Sequence, residues 1–180
     1  MMALLHTARN RLIKALEWSV IILFALLVID VLWGVVSRIC GGTIVWLSGK
    51  GFEPWHFLPR GQTRWTEEAA IFLLMWLSLL GAAVAYGEKA HLGLDYLVEK
   101  LHIEARPIAD ILAHALSAFF AFFVLIAGGY ELVSETLAAN QLSPALQVKI
   151  GYIYLAVPIS GLFILFFALE NIFTKRAAHA

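Results

Sequence analysis

Charged residues are scarce in this sequence, and their scarcity limits what the protein can be. Only 14% of the 180 residues are charged, whereas 61% are hydrophobic. Soluble domains usually carry about 25% charged and about 45–50% apolar residues. The formal net charge is zero, so no excess of positive charge favours binding to nucleic acid. So large an apolar share indicates a protein whose solvent is mostly a lipid bilayer.

Cysteine pairs and catalytic motifs are also missing. The one cysteine, Cys40, cannot form a disulfide within the chain, and no second cysteine is present to complete a metal site. The sequence contains no Walker motif, no nucleophile elbow and no HExxH sequence. A primary pump or a hydrolase therefore has no support. We predict that the protein is not an enzyme and binds no metal or cofactor of its own.

Long apolar runs dominate what is present. A membrane-spanning helix needs about 20 mainly apolar residues, and four runs meet that length: 16–37, 69–86, 111–130 and 150–169. The runs are too long for barrel strands and show no alternation of period two. The sequence therefore predicts an all-α integral membrane protein, a single domain over 1–180. The basic N-terminus followed by the first run is interpreted as an uncleaved span rather than a signal peptide.

The distribution of lysine and arginine predicts the orientation, because cytoplasmic loops are enriched in them. With the N-terminus inside, the cytoplasmic set is Arg9, Arg11, Lys14, Lys89, Lys100, Arg106, Lys175 and Arg176. The opposite set is Arg38, Lys50, Arg60, Arg64 and Lys149. Eight against five favours both termini in the cytoplasm.

Two connections between the runs have a character of their own. Residues 41–62 are rich in glycine, proline and aromatics, which favours a loop at the membrane surface or a surface that docks an extracytoplasmic partner. Residues 88–106 carry apolar positions at helical spacing: Leu94, Leu97, Val98 and Leu101. This pattern predicts a short amphipathic helix that lies in the interface or packs against a partner.

Acidic residues near the spans are the first candidates for function. Asp30 lies within the first run, where a carboxylate costs about 2.5–3.5 kcal/mol on insertion scales unless it is paired or hydrated. It has either a structural partner on another helix or a functional role. Glu67 and Glu68 follow Thr66, a candidate helix cap, at the start of the second run. Adjacent glutamates point to different faces of a helix, so one of them is free to reach a partner chain.

Histidines are the second group of candidates. His91 and Asp95 are four residues apart and face each other if 88–106 is helical, as a surface hydrogen bond or a proton-handling pair. His114 is the only histidine inside a predicted span. A membrane cytochrome commonly needs two such histidines to hold one haem, so this count disfavours a haem-binding subunit.

Several motifs occur in a characteristic order along the chain. They are 35–38 (VVSR) at the end of the first run, 64–69 (RWTEEA) at the start of the second, 74–83 (LMWLSLLGAA) within it, 90–95 (AHLGLD) after it, and 152–158 (YIYLAVP) in the fourth. In this order, and over nearly its whole length, the chain resembles the small membrane subunit of TRAP transporters, the tripartite ATP-independent periplasmic transporters.

The resemblance implies a system of three proteins in the bacterial inner membrane. In that family a soluble periplasmic protein binds an organic acid, and a large membrane subunit carries the acid inward, driven by sodium. The small subunit clamps the large one. The implied function is thus a small permease subunit that scaffolds an importer of dicarboxylates, sialic acid or similar acids. Its implied partners are the large permease subunit, the binding protein and membrane lipids, with the coupling sodium held by the large subunit.

The resemblance also implies which residues matter. The positions that match the family pattern are Arg38, Trp65, Glu67, Glu68, Trp76, His91 and Asp95. Their implied roles are folding and contacts with partner chains rather than substrate chemistry. Arg60 and Arg64 are expected near the outer surface, where they would contact a docked binding protein or lipid headgroups.

Two other functions compete with this interpretation. A small exporter could work alone as a dimer and couple to protons through Asp30. The chain could also be the membrane anchor of a redox enzyme, which the histidine count disfavours.

Overall fold

The helices of this protein are long and apolar. The computed structural model describes residues 2–48, 50, 64–88 and 106–178. Its helices are α1 (Met2–Ser48), α2 (Arg64–Gly87), α3 (Arg106–Phe120), a π-helical segment (Ala121–Gly128), α4 (Gly129–Ala138), α5 (Ile150–Tyr154) and α6 (Ala156–Ala178). The third predicted span is formed by α3, the π segment and α4, and the fourth by α5 and α6.

Four stretches are long and apolar enough to cross a membrane. They are Arg9–Ile44, Arg64–Gly87, Ile111–Ala138 and Ile150–Ile172. For the described residues, the prediction of an all-α architecture with four long apolar helices that could cross a membrane is therefore confirmed. Large apolar side chains such as Trp18, Ile29 and Phe119 are exposed along these helices. Exposing such apolar side chains is unfavourable in water but not in the hydrocarbon of a lipid bilayer.

The first helix extends further than predicted. It continues to Ser48, so the first eight residues of the predicted loop over 41–62 are helical. The physical reason is that the packed face of α1 does not stop at residue 40: Gly41 and Ile44 are both buried. The remainder of that loop lies outside the described residues, apart from Lys50.

The predicted amphipathic helix over 88–106 also lies outside the described residues, except at its two ends. Glu88 closes α2 with a turn, in which its N–H donates to the Val84 carbonyl at 2.9 Å. Arg106 begins α3, and Pro107 falls in the first turn of that helix. Proline suits that position because a first-turn N–H has no intrahelical acceptor.

The helices lie side by side in the order α1, α2, α6 and then the third span. Among the described elements, α1 packs mainly against α2, α2 packs against α6, and α6 packs against α3 and the π segment. Most of the residues of α1 that are at least partly buried recur at alternating steps of four and three: Arg9, Ile13, Leu16, Val20, Leu23, Leu27, Asp30, Gly34, Ser37, Gly41 and Ile44. This is the spacing of a coiled-coil seam. We call this set the α1 seam.

Packing is densest where α1, α2 and α6 meet near the start of α1. The buried cluster consists of Leu16, Leu80, Tyr86, Phe167 and Ala168, with Trp76 among the partly buried side chains around it. The Phe167 ring fits against Gly87, where an added Cβ atom would lie 3.0 Å from the ring. A glycine at the end of α2 therefore allows α6 to approach closely.

The third and fourth spans also meet at glycines. A Cβ atom added at Gly161 would lie 2.7 Å from Leu125 Cβ and 3.3 Å from the Ala121 carbonyl oxygen. One added at Gly129 would lie 3.0 Å from Pro158 Cδ. The π segment thus contacts α6 at Gly161. This contact lies near Pro158, which lacks an N–H group and therefore interrupts the backbone hydrogen bonding of the fourth span.

We expect Gly161→Ala to lower the thermal stability of the isolated chain in detergent. The added methyl group forces α6 and the π segment apart, and overpacking of this kind costs about 1–3 kcal/mol. Gly81→Ala is the matched control, because an added Cβ atom there meets nothing within 4 Å. The control should gain up to about 1 kcal/mol from helix propensity. Equal gains in melting temperature for both variants would contradict the close approach at Gly161.

Candidate functional site

Polar side chains join the helices at two opposite ends of the molecule. One end contains the start of α2 and the turn between α4 and α5, and we call it the Glu68 end. The other contains the start of α1 and the end of α2, and we call it the Arg9 end. Because lipid offers no hydrogen bonds, the polar groups at these ends decide what the described part of the chain can bind.

Glu67 binds α1 at the Glu68 end. Its carboxylate lies 3.0 Å from the Arg38 guanidinium, in a hydrogen-bonded ion pair whose side chains are 55% and 65% exposed. Exposed ion pairs contribute about 0–1 kcal/mol. This pair therefore orients α1 and α2 at the membrane surface more than it stabilises them.

Glu68 points the other way and binds the turn between α4 and α5. Its Oε2 atom accepts hydrogen bonds from the Ala145 N–H at 3.0 Å, from the Leu146 N–H at 2.8 Å and from the Ser143 hydroxyl. Ser143 is fully buried. Hydrogen bonds to a carboxylate are about twice as strong as neutral ones. Glu68 therefore fastens the start of α2 to a segment about 75 residues further along the chain.

The turn that Glu68 binds is itself well ordered by its backbone. Leu142 and Lys149 form an isolated antiparallel bridge, and the Ser143 N–H donates to the Val148 carbonyl at 2.9 Å. Asn140 and Gln147 adopt positive φ angles of 48° and 55°. Asparagine tolerates this left-handed conformation well. A tight, fixed turn thus projects beyond the ends of α4 and α5.

An open groove lies between α2 and this turn. Its volume is about 560 Å³, and it is lined by Arg64, Glu67, Glu68, Ile71, Pro144 and Ala145. Arg64 is exposed, whereas the two glutamates are engaged with Arg38 and with the turn. The groove combines a cation with apolar walls, which suits contact with a protein surface or a lipid headgroup rather than catalysis.

Arg9 joins three helices at the opposite end. It donates to the Gly87 carbonyl at the end of α2 at 2.5 Å and lies 3.4 Å from the Glu170 carboxylate of α6. The side chains of Arg9 and Glu170 are only 18% and 10% exposed. A cation at the C-terminal end of a helix is favoured by the partial negative charge there. Arg9 thus closes the bundle where α1, α2 and α6 converge.

His114 is paired within the chain. Its Nδ1 atom lies 2.9 Å from the Tyr86 hydroxyl, and the two rings meet edge to face with centroids 6.0 Å apart. Among the described residues, no group of three histidine, cysteine or acidic side chains is placed to hold a metal ion. The contact joins α2 to α3 and makes His114 part of the helix packing.

Asp30 occupies the α1 seam one helical turn from Gly34. An added Cβ atom at Gly34 would lie 3.2 Å from the Thr66 hydroxyl, so this part of the seam faces the start of α2. The Oδ2 atom of Asp30 is enclosed and has no hydrogen-bond partner among the described residues. Thr66 is buried inside α2, which is already helical at Arg64, so it does not occupy the predicted cap position.

The residues singled out from the sequence fall into three groups. Arg38, Glu67 and Glu68 come together at the Glu68 end, with Arg64 and the exposed Trp65 beside them. Trp76 packs against the buried cluster near the Arg9 end. The others, Arg60, His91 and Asp95, lie outside the described residues.

Sequence reasoning missed the contacts of Ser143, Arg9 and Glu170. Arg9 was counted only as a topology signal, and Ser143 sits in an unremarkable polar turn. One available signal was Glu170, an acid that follows the fourth apolar run directly and requires a compensating charge. Nothing in the sequence alone links Glu68 to residues 143–146.

We expect Glu68→Gln to loosen the turn between α4 and α5 far more than Glu67→Gln loosens α1. The amide retains an acceptor but loses the charge that strengthens three hydrogen bonds, and hydrogen bonds to charged groups are stronger than those to neutral ones. Hydrogen exchange of the Ala145 and Leu146 amides should therefore accelerate in Glu68→Gln. The control, Glu67→Gln, removes the exposed ion pair with Arg38 and should leave both amides protected. Unchanged exchange in Glu68→Gln would contradict the observed contacts.

Comparison with known proteins gives consistent matches. A family model described as the DctQ component of tripartite ATP-independent periplasmic transporters matches residues 56–178. The C4-dicarboxylate TRAP transporter small permease protein DctQ of Rhodobacter capsulatus is 28% identical over 97 residues, which cover 54% of this chain and 42% of that protein.

Two further relatives are named for other substrates. The sialic acid TRAP transporter small permease protein SiaQ of Vibrio cholerae is 26% identical over 109 residues, 61% of each chain. The isethionate TRAP transporter permease protein DctMQ of Oleidesulfovibrio alaskensis is 31% identical over 96 residues, 53% of this chain but only 15% of that protein. In all three relatives the matched stretch spans less than two thirds of the relative's own length.

Proposed function

We propose, because the chain belongs to the DctQ family of TRAP transporters, that it is the small permease subunit of a sodium-coupled importer of organic acids. It is a multi-pass membrane protein of a transporter family and not an enzyme. Relatives named for C4-dicarboxylate and sialic acid support an organic acid as the substrate class. We place the transporter in the bacterial inner membrane.

One observation carries the proposal that this chain is a scaffold rather than the carrier. At both ends of the molecule, charged side chains are engaged in holding its own helices together: Glu68 and Glu67 at one end, Arg9 and Glu170 at the other. A subunit that carries an anion must replace the hydration shell of a carboxylate with donors inside the membrane. The charged side chains at both ends are engaged in contacts between helices, and the side chains exposed along the described spans are mainly apolar.

A large permease subunit is the proposed partner within the membrane. In the Oleidesulfovibrio relative, the stretch similar to this chain is a small part of a permease protein, which supports a small and a large component working in equal number. The exposed apolar side chains along α1 and the third span provide the area for such a contact. We propose that this chain holds the large subunit in position, since a moving carrier needs a fixed frame.

A periplasmic substrate-binding protein is the proposed partner outside the membrane. The groove at the Glu68 end and the turn that Glu68 orders provide a fixed surface for it. We propose that Arg64 contacts this protein or lipid headgroups, and that Arg60 does the same. Arg38, Trp65, Trp76, His91 and Asp95 are proposed to serve folding and contacts with partner chains.

Both termini are proposed to face the cytoplasm, which places the Glu68 end outside. Alkaline phosphatase inserted within 49–51 should be active, and a fluorescent protein fused at His179 should fluoresce, because these positions lie on opposite sides. As the control, the two reporters are exchanged: the fluorescent protein within 49–51 should not fluoresce, and alkaline phosphatase at His179 should be inactive. Cytoplasmic signals from both positions would overturn this topology.

The chain reconstituted alone in liposomes should transport nothing. Uptake should appear when the large permease subunit, the loaded binding protein and an inward sodium gradient are all supplied. Trp76→Ala should reduce recovery of the assembled transporter, because it removes a large packing surface, without changing which acid is preferred. Transport by the isolated chain, driven by sodium or by protons, would instead favour a self-sufficient transporter that uses Asp30.

A further inference from the structure

The carboxyl group of Asp30 is in an unusual position on α1. It lies on the α1 seam, between Leu27 and Gly34, yet its Oδ2 atom is enclosed without a hydrogen-bond partner among the described residues. A carboxylate in a membrane span costs several kcal/mol unless another group compensates it. The described part of the chain supplies no compensation at this position.

Three hydroxyl side chains of α1 form hydrogen bonds within their own helix. The hydroxyls of Ser19, Ser37 and Thr43 donate to backbone carbonyls three or four residues earlier. A carboxylate cannot do the same, because it only accepts hydrogen bonds and the N–H groups inside a helix are already used. The donor for Asp30 must therefore come from outside α1.

The neighbouring helix offers no donor at this level. Gly34 lies against Thr66 in antiparallel packing, so Asp30 falls beside the residues of α2 that follow Thr66 by about one turn. The side chains of 69–75 are all apolar. Arg38, the nearest cation on α1, is engaged with Glu67. The described residues therefore supply no side-chain donor to Asp30, and a further chain can supply one within the bilayer.

We propose that Asp30 is a docking point for a transmembrane helix of the large permease subunit, which supplies a cationic or hydrogen-bond-donating side chain to its carboxyl group. The inference rests on the proposed function, since it requires that subunit to be present. Asp30 is only partly buried, so the packing of α1 against α2 does not cover it completely. The exposed apolar neighbours Val31 and Trp33 provide packing area beside it.

A second copy of this chain does not fit the same position. Each copy would bring another acceptor-only carboxylate, and a symmetric contact through Asp30 would place like charges together. Lipid acyl chains carry no donor. A permease helix differs from both, because its sequence is free to present a lysine, arginine, serine or asparagine at this depth. The occurrence of a similar stretch within a longer permease protein supports that partner.

The proposal makes opposite predictions for the isolated chain and for the complex. In the isolated chain, Asp30→Leu removes an uncompensated carboxylate, so the melting temperature in detergent should stay equal or rise. In the complex, the same substitution leaves the permease donor unpaired. Hydrogen bonds between membrane helices contribute about 0.6–1.7 kcal/mol, so association with the large subunit should weaken about three- to twentyfold.

Two further variants complete the experiment. Asp30→Asn keeps an acceptor oxygen and should retain more of the association than Asp30→Leu. Ser19→Ala also removes a polar group from α1, but one satisfied by its own helix, and should change nothing. Association is measured by titrating the tagged chain against the purified large subunit in nanodiscs. A photoreactive residue at Val31 should cross-link to a helix of the large subunit.

The outcomes separate this proposal from the proposed function. If the wild-type chain does not bind the large subunit at all, the proposed function fails. If the wild type binds and Asp30→Leu binds equally well, the docking point is wrong and the function stands. A melting temperature that falls in isolated Asp30→Leu would show that Asp30 serves folding instead. Cross-linking only to lipid or to a second copy of this chain would also overturn the proposal.

Discussion

The lack of water in the hydrocarbon region determines how this chain uses its few polar side chains. Each carboxylate near the bilayer needs donors from the protein, because lipid provides none. Glu68 obtains three, from Ser143, Ala145 and Leu146, and in doing so it joins the first pair of spans to the second. Without that contact the start of α2 and the turn after α4 would share only apolar surface, which is non-directional and sets no register.

The rest of the architecture follows the same division, with hydrogen bonds and ion pairs at the two ends of the helices and apolar packing between them. Arg9 performs at one end what Glu68 performs at the other, since it binds the end of α2 and a carboxylate of α6. Between them, the helices meet through small residues: Gly34 beside Thr66, Gly87 beside Phe167 and Gly161 beside Leu125. Inside the bilayer no hydrophobic effect drives one helix against another, because lipid tails are as apolar as the helices. Close packing at glycines therefore provides the van der Waals contact that holds the helices together.

The spanning helices could be predicted from the sequence because apolar length is a property of each segment alone. The contacts between these helices could not be predicted from the sequence. The α1 seam is hidden in a helix that is apolar on every side, so only the structure shows that Leu16, Leu23 and Gly34 share a face. The bond from Glu68 to Leu146 joins residues 78 positions apart, and no local pattern encodes it. The end of the first helix was misplaced for a related reason, since glycines at 41 and 42 indicate a loop until their packing is known.

The length of α1 has a consequence for the membrane itself. The candidate span Arg9–Ile44 has 36 residues and is about 54 Å long, but charged residues occupy its start, at Arg9, Arg11, Lys14 and Glu17, and Arg38 lies near its end. A hydrocarbon core of about 30 Å would contain a helix of that length only at a tilt of roughly 55°, whereas spanning helices in known structures reach about 40° at most. The charged start of α1 and its end beyond Arg38 therefore extend into the headgroup layers, and the stretch between them, 18–37, is about 30 Å long. Both ends of α1 thus lie where lipid headgroups, rather than acyl chains, surround the helix.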